Sequence, residues 1–162
     1  MRIIAIALFA LVLAHGGASA QTADERARIL RDFQQRVADY TLRHTCLHLC
    51  PEALDAATPA TRIFTPPVAM VFRQAIARAL ADRSGAAAIN GVGVFAHPEL
   101  LKPFPPDGLS QFPAVLRNVL PPLPAPLEYR LVGHDLVIRD RNADVSVAVL
   151  RDATGNPRIV VR

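Results

Sequence analysis

LEYRLVGHDLVIRDRNADVSVAVL, residues Leu127 to Leu150, is the stretch whose reading decides the fold. Leu127, Tyr129 and Leu131 alternate with Glu128 and Arg130, and Leu136 and Ile138 sit between Asp135 and Arg139, the period-2 pattern of half-buried strands. Val137 alone breaks the alternation. Between the two runs Gly133-His134-Asp135 supplies a turn, so the stretch reads as a hairpin with a histidine at its tip. Asn142-Ala143 marks a second turn, Val145 to Leu150 a third strand, and Asp152 to Pro157 a third turn before Arg158-Ile159-Val160-Val161. Three or four antiparallel strands in sequence are the simplest arrangement.

Upstream of the hairpin, His97 to Pro126 holds nine of the 14 prolines and cannot run throughout as regular helix or central strand. It is expected to be an ordered connector. One short helix fits inside it, with Ser110 as cap, Pro113 in the first turn and Phe112, Val115, Leu116 and Val119 as its buried side, ending at Pro121-Pro122. Further upstream is the cleanest helical signal: Thr65 as N-cap, Pro66 at the first helical position, then Val68, Phe72, Ile76 and Leu80 on one face, with Ser84-Gly85 ending it. Ala86 to Ala96 offers a weaker strand through Ile89, Val92 and Val94. From Thr22 to about Leu49, steps of four and three place Ile29, Phe33, Val37, Tyr40, His44 and Leu47 on one stripe of an amphipathic helix. Thr22 and Glu25 stand in capping-box positions, and Pro51 marks the end. The expected class is α+β, with two long N-terminal helices packed on a small C-terminal antiparallel β-meander.

The first twenty residues, MRIIAIALFALVLAHGGASA, combine Arg2, an apolar run from Ile3 to Ala14 and a small-residue cleavage site at Ala18-Ser19-Ala20, which predicts a secretory signal peptide. Cleavage after Ala20 takes twenty of the 162 residues and leaves 142, the size of one domain. No second apolar stretch approaches a membrane span. The expected product is a soluble exported protein, residues 21 to 162, periplasmic or extracellular. Without Arg2, 17 basic residues face 14 acidic ones. The arginines are scattered and Trp is absent, which argues against nucleic acid and against an acidic membrane surface as partners.

IFTPPVAMVFRQAIARAL and VLPPLPAPLEYRLVGHDLVIRDRNADVSVAVL, together with the signal peptide and the DFQQRVADY helix, resemble a group of short exported bacterial proteins with no assigned function. Members carry an IFTP-to-FR helix and an EYR-x-VG-x-DLV-x-RD strand pair in this order. The resemblance covers about three quarters of the mature chain, and implies export and an α+β fold but no activity. The short Glu52 to Thr61 connector and the cysteine and histidine cluster depart from that pattern.

That cluster, His44-Thr45-Cys46-Leu47-His48-Leu49-Cys50-Pro51, is the densest group of potential ligands. On a helix at about 100° per residue, His44 and His48 form one pair, and Cys46 and Cys50 another facing away from it. A site here therefore needs one pair plus residues from elsewhere. For the cysteines, export favours a Cys46–Cys50 disulfide, with an inert thiol pair or a metal or redox role as the other readings. CLHLCPEAL also resembles the CxxxCP motif of the Sco-type copper chaperones, which implies copper held by Cys46, Cys50 and a distant histidine, in the position of His134 here. Two thiolates and an imidazole suit copper. The departure is that Sco proteins carry a buried strand before the motif, where this chain has an arginine-rich helix.

Gly91-Val92-Gly93-Val94-Phe95-Ala96 fits GxGxxA, but His97-Pro98 follows where a helix should begin. No GxSxG, HExxH or P-loop occurs, and no acid/base pair can be nominated. The sequence thus predicts a binding or structural role without catalytic residues or cofactor, and a copper or thiol-redox protein as the alternative. Free-thiol titration with and without one equivalent of Cu(I) separates the two.

Overall fold

The computed structural model describes residues 15–47, 63–81, 87, 89, 98–104 and 112–155, with side chains of the first helix described from Thr22 to His44. The chain is α+β. Helices α1 (His15–Leu47), α2 (Pro66–Ala79) and the single-turn α3 (Ala114–Arg117) precede strands β1 (Leu127–Val132), β2 (Asp135–Asp140) and β3 (Val145–Leu150). The strands form one antiparallel sheet in the order β1-β2-β3. Among the described residues no helix is long and apolar enough to cross a membrane.

The hairpin is set by its turn. Leu131 pairs with Leu136 and Val132 with Asp135, leaving Gly133-His134 as a two-residue loop. Gly133 takes φ +58° and His134 keeps a negative φ, the φ pattern of a type II′ turn that matches the strand twist. A Cβ on Gly133 would meet nothing within 4 Å, so backbone conformation rather than space selects glycine there. At the other end of β2, the Asp140 carboxylate accepts hydrogen bonds from the Asn142 and Ala143 N–H groups at 2.8 and 3.1 Å and shapes the β2–β3 turn. Between β2 and β3 the register shifts at Ile138/Arg139. Ile138 pairs with Ala148 and Arg139 with Ser146, so Val147 is the extra residue of a bulge and is fully buried.

One face of the sheet meets the helices. Leu127, Leu131, Leu136, Ile138, Ala148 and Leu150 share a core with Ile29, Phe33, Val37 and Tyr40 of α1 and Val68, Phe72 and Ile76 of α2. Phe72 sits at its centre, 4.8 Å from the Phe33 ring, 5.4 Å from Phe64 and 6.3 Å from Tyr129. The opposite face holds a smaller cluster of Val132, Val137 and Val149 under Phe104. Val137 breaks the period-2 pattern because its side of the sheet is covered too. Residues 98–104 provide the cover and also pair with β3: Leu101 N–H donates to Ser146 O (2.8 Å), Ser146 N–H to Lys102 O (3.1 Å) and Phe104 N–H to Asp144 O (2.9 Å). The edge of β3 is thereby closed.

Several local expectations change. α1 begins at His15, so Thr22 lies inside the helix rather than capping it, and Glu25 accepts from Arg28 instead of reaching back in a capping box. Thr65 does occupy the N-cap position of α2, with Pro66 next, but its side chain makes no cap hydrogen bond, and α2 ends at Ala79, with Leu80 N–H closing on Ile76 O at 2.9 Å. Ser84-Gly85 lies outside the described residues. In the connector α3 is one turn long, with Pro113 as its N-cap, so the chain swings Leu120 inward and leaves Val119 41% exposed, contrary to the helical spacing. Ser110, Val92, Val94 and the segment 158–161 lie outside the described residues, and Ile89 falls in a turn packed against the core.

Candidate binding cleft

Arg26, Leu30 and Gln34 are spaced by four residues and lie in a row along the flank of α1, beside its buried stripe. Facing them are Val71 and Ala75 of α2, and the segment Asn118 to Pro122 closes the third side. The result is a cleft of about 290 Å³ with Phe72 in its wall. Ala75 leaves the space that a larger side chain would fill. Val119 stands exposed at the mouth because α3 stops after one turn.

The proline wall is held from below. Tyr129 on β1 donates its hydroxyl hydrogen to Pro121 O at 2.9 Å and stacks on Phe112 with ring centroids 5.9 Å apart. Burial pushes the Tyr129 phenol far above its ordinary range, so the hydroxyl remains a donor. The polar members of the lining are Arg26, Gln34 and Asn118, and it holds no carboxylate.

Among the described residues the buried and half-buried carboxylates of the sheet are committed to structure. Asp135, 5% exposed, accepts from Arg151 Nη1 at 2.6 Å and from Asp152 N–H at 2.9 Å. Asp140, 3% exposed, holds the β2–β3 turn and accepts from the Tyr40 hydroxyl at 3.4 Å. Glu128 takes two arginines, Arg130 and Arg139. A buried carboxylate so satisfied is part of the scaffold rather than a free acid or base.

His134 is exposed at the hairpin tip, its Nδ1 2.9 Å from Thr154 Oγ1, and Thr154 N–H donates to the His134 carbonyl at 3.2 Å. Cys50 and the Cys46 side chain lie outside the described residues; the Cys46 backbone belongs to the last turn of α1. α1 touches β2 through Tyr40 at Asp140, the end of the strand away from His134, and six strand residues span about 20 Å. Among the described residues no three His, Cys, Asp or Glu side chains gather as a metal site.

No family model, curated protein or solved structure matches this chain. Reading the sequence for motifs passed over the cleft, which has none: its walls are apolar side chains that also read as core. One signal could have found it: Arg26 has no acidic residue three or four positions away on its helix.

Proposed function

We propose that this protein is a small exported domain that works by binding, built as two long helices on the meander, and that the cleft between α1, α2 and Asn118–Pro122 is its ligand seat. The reading keeps the chain with the short exported proteins that its IFTP helix and EYR hairpin resemble, and draws export from the Arg2 to Ala20 pattern. The observation that carries it is the cleft: concave, lined mainly by apolar side chains with Arg26, Gln34 and Asn118 among them, and fixed on one side by the Tyr129–Pro121 hydrogen bond. Its volume, at the lower end of small-molecule sites, suits a ligand of roughly ten non-hydrogen atoms, taking about 30 Å³ for each as for a water.

The test uses a neutral apolar probe. Titration of 1-octanol, followed by backbone amide shifts, is expected to move residues 26–34, 71–75 and 118–122 in a saturable way. Val119→Trp places an indole in the mouth from an already exposed position and is expected to abolish those shifts while the amide spectrum stays dispersed. Shifts that are absent, or that spread over the sheet and survive Val119→Trp, remove the cleft as the seat of binding.

A further inference from the structure

Five of the twelve described arginines pair with a carboxylate, and among those that do not, Arg26 alone is half-buried. Arg28 donates to Glu25, Arg36 to Asp32, Arg139 to Glu128 and Asp144, and Arg151 to Asp135. Arg26 differs on three counts. It is half-buried on the cleft wall, it makes no hydrogen bond or ion pair with any described residue, and its neighbours at three and four residues, Ala23, Ile29, Thr22 and Leu30, carry no carboxylate. Its guanidinium has no counter-charge among the described residues, and the apolar wall beside it strengthens its attraction for an anion.

Resting on the cleft as ligand seat, we propose that its ligand is a small amphiphile with a carboxylate head, the head bound by Arg26 and the apolar body lying along Leu30, Phe72 and Val119. The planar guanidinium offers two parallel N–H donors in the geometry of a carboxylate. The Gln34 amide on the same row adds a neutral donor. A cationic ligand is disfavoured, since the lining holds one positive and no negative side chain. A polyanion is disfavoured as well, since one arginine cannot match several charges. The space beyond the head, lined by aliphatic and aromatic carbon, calls for a short chain or single ring rather than a sugar or peptide.

The experiment compares octanoate with 1-octanol and octylammonium on the intact protein, each titrated separately and followed by the same amide shifts. Octanoate is expected to bind roughly tenfold or more tighter than octanol, and octylammonium more weakly than either. Arg26→Gln is expected to bring octanoate down to the octanol affinity without changing octanol binding. Arg28→Gln, which removes a paired arginine from the exposed face of the same helix, is expected to leave all three affinities as they were. If octanol and octanoate bind equally, or if Arg26→Gln leaves their ratio unchanged, the carboxylate assignment is overturned while the cleft stands. If no probe moves the cleft amides, both are overturned.

Discussion

The two faces of the β-sheet are covered in different ways. Toward the helices, seven strand residues are buried with α1 and α2 in a core whose centre is a run of rings, Phe64, Phe33, Phe72, Tyr129 and Phe112. Away from them, three valines lie under one ring, Phe104, and the same face carries Glu128, Arg130 and Arg139 in a network of ion pairs. The Arg139 guanidinium lies 5.0 Å from the Phe104 ring centroid. The helix-covered face is stabilised by apolar area; the other joins a small apolar patch to charges that remain near water. A short cover can close a sheet face, but only with a polar lattice completing what a helix would otherwise bury.

The largest expected effect comes from the centres of the two faces. Phe72→Ala removes a ring only 1% exposed that packs on Phe33 of α1, Phe64 ahead of α2 and Tyr129 of β1, and should cost about 3–5 kcal/mol. Phe104→Ala removes a ring of equal size from a patch with fewer neighbours and room to collapse, and should cost less, about 2–3 kcal/mol. Urea midpoints at unchanged slope are the measurement. Equal losses would show that residues 98–104 form a second full core, and the contrast between the faces would be gone.

A smaller effect separates the faces by pH. Both tyrosines lie on the helix side, and both phenols are raised well above the ordinary value of 10.0: Tyr129 by burial, and Tyr40 by burial first and by the Asp140 carboxylate second. Below about pH 10 folded and unfolded chains hold these protons alike, so neither group makes stability depend on pH. Above it the unfolded chain releases protons that the folded chain retains, and stability falls as pH rises. Each tyrosine contributes up to about 1.4 kcal/mol per pH unit to that fall. Tyr129→Phe should lose about 0.5–1.5 kcal/mol at neutral pH, through the Pro121 hydrogen bond, and should make the alkaline decline shallower. Urea midpoints across about pH 9 to 12 decide it. An unchanged alkaline slope in Tyr129→Phe would mean that this phenol ionises freely in the folded protein.

How much of this was legible in the sequence follows from what each signal measures. The hairpin was readable because alternation and Gly133 act locally, and the register followed from the turn. The α1 and α2 stripes were readable for the same reason: Ile29, Phe33, Val37 and Tyr40 report a single buried face. Val137 was readable only as a break, since its burial depends on Phe104, more than thirty residues upstream in a proline-rich segment without periodicity. The cleft was least legible of all. It exists because a short α3, the small Ala75 and a proline wall fail to fill the space between two helices, and unfilled space leaves no pattern in a sequence. Of the residues that sequence chemistry favoured, His134 meets Thr154 at the end of β2 away from the Tyr40 contact, while Cys50 and the Cys46 side chain lie outside the described residues.

The smallest expected effect tests whether the charges on the outer face do more than decorate it. Arg139 donates to Glu128 at 3.0 Å and to Asp144 at 2.6 Å, and its side chain is 14% exposed. Asp144 is 59% exposed, so that arm is screened by solvent and contributes little; the weight falls on the Glu128 arm and on the Phe104 ring. Arg139→Lys keeps the charge but loses the planar fork, and should cost about 0.5–1.5 kcal/mol. Phe104→Leu keeps the apolar cover but removes the ring face. Combining the two should reveal a coupling of about 0.5–1 kcal/mol, because each substitution removes one partner of the same stacked contact. A coupling near zero would mean that the ring is held by Val132, Val137 and Val149 alone. The outer face would then be a reduced copy of the inner one, stabilised by the same apolar contact, and the ion pairs around it would serve only solubility.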